Sequence, residues 1–98
     1  LGRHMLTGLE RLKARYPVIG DVRGRGLLLG IEFVKDRVTK KPGREECAQV
    51  VENARDLGLL LGKGGLWGQT VRCAPPMNIT RADADFILAV LDEAVGAL

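Results

Sequence analysis

Residues 27–34 read Leu27-Leu28-Leu29-Gly30-Ile31-Glu32-Phe33-Val34, with Leu27, Leu29, Ile31 and Phe33 alternating against Leu28, Gly30, Glu32 and Val34. Successive side chains of a strand point to opposite faces, so this run predicts a β-strand with one apolar face to be covered. Upstream lies the glycine-punctuated segment Ile19-Gly20-Asp21-Val22-Arg23-Gly24-Arg25-Gly26. Before it, Met5, Leu9, Leu12 and Tyr16 recur at the spacing of an amphipathic helix. Pro17 stops that helix, and Arg11, Lys13 and Arg15 suit its negative end. Its start has no capping residue, and Arg3 stands where an acid is favoured, so the chain reads as beginning inside a helix. An expression remnant over the first five residues is the competing reading.

Downstream of the strand, Asp36 to Gly43 is rich in lysine and arginine and reads as a solvated loop. Glu45 and Glu46 open a helix whose Cys47, Val50, Val51, Ala54 and Leu57 share a face, and Gly58 supplies a left-handed stop. Leu59 to Leu61 reads as a short buried strand and Gly62 to Gly68 as a glycine-rich loop. Thr70 to Ala74 alternates again until Pro75-Pro76, which cannot donate to a ladder. Thr80, with Asp83 three residues on, caps a last helix striped by Phe86, Ile87, Val90, Leu91 and Ala94. The predicted order is α-β-α-β-β-α: an α+β fold with a small three-stranded sheet and helices packed on one face.

A length of 98 residues, 46% hydrophobic and 28% charged, is that of one globular domain and excludes a multidomain enzyme within these residues. The net charge of +3 comes from scattered basic residues, which speaks against nucleic acid as a partner. A basic module contacting RNA through Arg23, Arg25, Lys35, Arg37, Lys40 and Lys41 would lack stacking aromatics, since Phe33 is the only one in its strands. No apolar stretch approaches the ~20 residues that span a bilayer. Cys47 and Cys73 lie within apolar patterns and read as reduced core thiols of a cytoplasmic compartment.

Few residues offer chemistry. His4 is the single histidine, far in sequence from either cysteine, and reads as solvated and without a role. One histidine and two dispersed cysteines match no usual metal-ligand spacing. Gly24, Gly26 and Gly30 precede a strand instead of following one, and Gly62-Lys63-Gly64-Gly65 lacks the ending and the helix of a phosphate loop. Such glycine density more often marks bulges and close backbone approach, or the lining of a neighbouring domain's site. Arg72 stands out, set between Val71 and Cys73 just before the Pro-Pro. Its planar fork could clamp a carboxylate bidentately. From spacing alone, a structural salt bridge or an exposed strand position is the favoured account of it.

Taken together, Gly20-Asp21-Val22-Arg23-Gly24-Arg25-Gly26-Leu27, Gly30-Ile31-Glu32, Gly58-Leu59-Leu60 and Val71-Arg72-Cys73-Ala74-Pro75-Pro76-Met77-Asn78-Ile79-Thr80 resemble the C-terminal small domain of class-III aminotransferases. The likeness runs in order along the whole chain, and Gly62 to Gln69 resembles the alanine-glyoxylate branch of that family. The resemblance implies a fold-type-I enzyme that uses pyridoxal 5'-phosphate to move an amino group from an amino acid to a 2-oxo acid, as a homodimer. Residues 1–98 would be its small domain, with 1–16 the tail of an inter-domain helix and 17–98 the α+β core. A large domain would supply the cofactor lysine and the aspartate facing the pyridine nitrogen, because none of Lys13, Lys35, Lys40, Lys41 or Lys63 matches such a place. Arg72 matches the family's arginine for the substrate carboxylate; no catalytic, cofactor or metal residue is expected here, and the piece alone is expected to be inactive. A cytoplasmic location is expected, or a mitochondrial one in a eukaryote. Apolar faces around Leu1 to Leu12 and Leu66-Trp67 are expected to pack on the large domain, and to drive association without it. The alternative is a free-standing binding or dimerisation module without catalysis.

Overall fold

The computed structural model describes residues 2–26, 28–65, 68–75 and 78–98. Its elements are α1 (Gly2–Arg15), β1 (Ile19–Arg25), β2 (Leu28–Asp36), β3 (Lys41–Pro42), α2 (Arg44–Asp56), β4 (Gly62–Gly64), β5 (Thr70–Cys73) and α3 (Arg81–Gly96). The alternating run is the central strand, β2, which buries Leu29, Ile31 and Phe33 on one face. β1 and β5 flank it, β4 pairs with β5, and the two-residue β3 joins the far end of β2; every pairing is antiparallel.

The α+β class holds, but the sheet has five strands among the described residues where the sequence predicts three. One addition is β1, where Gly20, Asp21 and Gly24 depress strand propensity. Those glycines make room for β2: a Cβ on Gly20 would lie 2.7 Å from Cγ1 of Val34, and one on Gly24 would lie 2.8 Å from Cδ2 of Leu29. The other addition is β3. Asp36 first turns the chain, accepting from the amide of Val38 (3.0 Å) and the hydroxyl of Thr39 (3.3 Å). The expected strand at Leu59 to Leu61 is displaced to β4, because α2 ends in a Schellman motif. The amides of Gly58 and Leu59 bond the carbonyls of Arg55 (3.0 Å) and Ala54 (2.8 Å), with Gly58 at φ 93°. The ladder therefore opens only at Gly62.

α1 packs on β1 and α2 on β2, β4 and β5, while α3 lies against both helices. Met5, Leu9, Leu12, Val50, Ala54, Ile87 and Leu91 meet the inward residues of the sheet in one core. α3 begins as its sequence dictates: the Asp83 amide donates to Oγ1 of Thr80 (3.1 Å), and the Thr80 amide donates to Oδ2 of Asp83 (3.0 Å). Phe86 departs from the predicted stripe. It is 52% exposed, because Ala84, Ile87, Leu91 and Ala94 take the inward face instead. Leu57, at the end of α2, is likewise largely outside the core.

α1 and α3 run parallel, joined at both ends. Near their starts His4 Nε2 meets Oδ1 of Asp85 at 2.5 Å, and Arg81 Nη2 meets His4 Nδ1 at 3.2 Å. Near their ends the Tyr16 hydroxyl donates to Oδ1 of Asp92 (2.5 Å), and Arg15 Nη1 donates to Oδ2 of the same carboxylate (2.7 Å). His4 is thus a cross-helix contact, not the isolated solvated residue its sequence position suggests. The apolar face of α1 is also not free for another domain, since Met5 and Leu9 are fully buried within this chain. Leu1, Leu66 and Trp67 lie outside the described residues.

Candidate functional site

β5 carries Thr70-Val71-Arg72-Cys73, and its alternation decides where the arginine goes. Val71 and Cys73 enter the core, so Arg72 emerges on the opposite face of the sheet, the one the helices leave open. Of the alternatives that spacing leaves open for Arg72, exposure is what the fold provides. In register it sits between Gly30 of β2 and Gly62 of β4, with Arg23 of β1 opposite Gly30 in the same row. Neither flanking position carries a charged side chain that could neutralise it.

The charges on this face differ in their pairing. Arg23 reaches Glu32 Oε2 at 3.4 Å and Asp21 Oδ2 at 3.8 Å. Arg72 has no ion pair and no side-chain hydrogen bond among the described residues. A depression of about 390 Å³ lined by Arg23, Arg25, Leu28, Gly30 and Arg72 opens beside it. An unpaired guanidinium above a glycine floor has its donors free for a planar anion. Of the Pro-Pro that follows, Pro75 is half-buried; Pro76 and Met77 lie outside the described residues.

The remaining candidates take structural places. Cys47 and Cys73 are free and buried, and burial pushes both thiols up from their ordinary range, which leaves them poor nucleophiles at neutral pH. Among the described residues no cluster of His, Cys, Asp or Glu could hold a metal ion, and no helix is long and apolar enough to cross a membrane. Lys35 bridges β2 to the first turn of α2, reaching Glu45 at 2.8 Å and Glu46 at 3.1 Å. That contact holds the Glu45 carboxyl below its usual range and the Lys35 ammonium above its own.

One residue that sequence reading places in a solvated loop has a defined task. The Arg37 guanidinium donates to the carbonyls of Lys13, Tyr16 (3.2 Å) and Ile19 (3.1 Å), closing the C-terminal end of α1 onto the start of β1. A positive residue suits those carbonyls. No local sequence signal announces it, because the partners lie in elements far away along the chain.

A family model described as aminotransferase class-III matches residues 1–95. The chain is 42% identical over 92 residues to a protein of Arabidopsis thaliana named alanine–glyoxylate aminotransferase 2 homolog 2, mitochondrial, covering 94% of this chain and 19% of that protein. It is 43% identical over 99 residues to a taurine–pyruvate aminotransferase of Bilophila wadsworthia, covering 96% of this chain and 22% of the relative. Among solved structures, an aminotransferase of Bacillus anthracis superposes with a TM-score of 0.92 at 32% identity, over 99% of this chain and 23% of that one. The chain therefore spans about a fifth of the length of the curated relatives it matches.

Proposed function

Since the chain belongs to the class-III aminotransferase family, we propose that it is the C-terminal small domain of a pyridoxal-phosphate-dependent enzyme. In this reading Arg72 binds the carboxylate of amino acid and 2-oxo acid substrates. Residues 1–16 end an inter-domain helix whose Met5, Leu9 and Leu12 join the α+β core of 17–98, in a homodimer. One observation carries the reading: Arg72 stands unpaired among the described residues, on the open sheet face, between Gly30 and Gly62.

In this reading the cofactor lysine is not among the described lysines of this chain. Lys35 is held by Glu45 and Glu46. Lys40, Lys41 and Lys63 are exposed, and Lys13, in the last turn of α1, is half-buried. None is an enclosed lysine, which supports the reading that the cofactor and its chemistry belong to a large domain that this domain would face. The 98 residues alone are accordingly inactive on this reading.

What Arg72 does follows from its geometry. Two parallel N–H···O bonds fix both oxygens of a carboxylate, and with them the direction of the neighbouring Cα–H bond. Amino acid and 2-oxo acid carry the same group beside the reacting carbon, so one arginine serves both half-reactions. The alanine–glyoxylate and pyruvate classes of substrate are favoured by the names of the relatives. A cytoplasmic place, or a mitochondrial one in a eukaryote, accords with the two free thiols.

The test is Arg72→Lys in the intact enzyme. The charge stays and the fork goes, which should cost about 2–4 kcal/mol of transition-state binding, or ~30- to 1000-fold in kcat/KM. A primary amine without a carboxylate should lose far less. Equal losses for both kinds of substrate would remove Arg72 from the binding role.

A further inference from the structure

On the open face of the sheet β4 presents Gly62 and Gly64, while Lys63 points to the other side beside Val71. The two glycines are not equivalent. A Cβ built on Gly62 would stand 3.8 Å from Cβ of Arg72, an ordinary contact. A Cβ built on Gly64 would overlap the guanidinium: the three nearest atoms are Nε, Nη2 and Cζ of Arg72, with Cζ at 2.7 Å. The Arg72 side chain therefore leaves β5, crosses onto β4 and rests its charged end on the bare backbone of Gly64.

We propose that Gly64 is the positioning residue for Arg72, a berth whose missing side chain sets where the carboxylate-binding guanidinium lies. The inference rests on the reading of Arg72 as the substrate's carboxylate partner, and extends it to a residue that never touches substrate. An arginine side chain has several rotatable bonds and loses much freedom when fixed in one place. A flat strand segment beside it narrows those choices without offering a competing charge. Because no ion pair among the described residues holds the guanidinium, its resting place is set by shape.

The experiment compares Gly64→Ala with Gly62→Ala in the full-length enzyme, each assayed with an α-amino acid donor and with a primary amine of similar size that lacks the carboxylate. For Gly64→Ala, KM for the amino acid should rise tenfold or more, toward the ~100-fold that an ångström of misplacement can cost. Its kcat at saturation should be largely kept, the amine should be unaffected, and the melting temperature should stay within a few degrees of the parent. For Gly62→Ala both substrates should behave as in the parent. In an Arg72→Lys background, Gly64→Ala should add little, since the group it displaces is gone.

Failure of the two readings can be told apart. If Arg72→Lys spares carboxylate selectivity, the assignment of Arg72 falls. If Arg72→Lys abolishes that selectivity while Gly64→Ala behaves like Gly62→Ala, only the berth falls. Equal losses for acid and amine in Gly64→Ala would also overturn it. So would a variant that cannot fold, because the atoms nearest an added methyl belong to the movable end of a side chain.

Discussion

Replacing Arg37 by alanine is expected to loosen the first helix without touching the core. The guanidinium bonds the carbonyls of Lys13, Tyr16 and Ile19, tying the last turn of α1, the turn after it and the first residue of β1 to one cation. A hydrogen bond to a charged group is worth ~1.5–3 kcal/mol when well shielded. Here two of the three contacts are exposed and water can take over the freed carbonyls, so the net loss should be about 1–2 kcal/mol for the set. In a domain of this size each kcal/mol moves the melting point by ~4–8 °C, which sets the expected drop at roughly 5–15 °C. Thermal unfolding followed by circular dichroism measures it, with Arg37→Lys as companion. A lysine keeps the charge near the helix end but cannot span three carbonyls, and should recover less than half of the loss. An unchanged melting point for Arg37→Ala, or full recovery by lysine, would refute the account of Arg37 as a geometric clasp.

Two further outcomes concern the other helix contacts. Thr80→Ala removes the hydroxyl that accepts from Asp83 and should destabilise the domain by about 0.5–2 kcal/mol, read from urea midpoints at constant m-value. The Asp92 carboxyl is held below its usual range by the Tyr16 hydroxyl and then by Arg15. Its contribution is therefore complete above the ordinary carboxylate pKa of ~3.9 and is lost as pH falls through the depressed value in the folded state. Asp92→Asn should lower the melting temperature near neutral pH and converge on the parent at the acid end. A constant gap between the two curves down to the acid limit would show that the contact is not one of charge.

Local signals were readable where the determining partners lie a few residues apart. The capping box of Thr80 and Asp83, the stop at Gly58 and the alternation of β2 each depend on neighbours in sequence, and each stands where it was expected. β1 was not readable, because its pairing with β2 is favoured by room for Val34 and Leu29 that glycines provide, and propensity counts those glycines against a strand. β4 begins three residues beyond the start of the apolar run that predicts it, since the Leu59 amide closes α2. The same holds at the candidate site. Alternation put Arg72 opposite Val71 and Cys73, as found, but the direction its side chain takes depends on Gly64, whose place in the ladder only the fold defines.

The alternation of β5 has a consequence for how the chain finds its structure. Sliding β5 by one position against β2 would swing Arg72 under the helices and bring Val71 out to water, because the two faces of a strand exchange with each single step. A lone guanidinium among Leu29, Ile31 and Val50 would have no acid to meet in the core and would be strongly disfavoured. Misaligned pairings would thereby be penalised by the very residue that the aligned one sets out on the surface, which would make Arg72 a check on strand assembly. Replacing it with an apolar residue would relax that check, and slipped, self-associating forms should then accumulate during refolding even where the final fold gains stability.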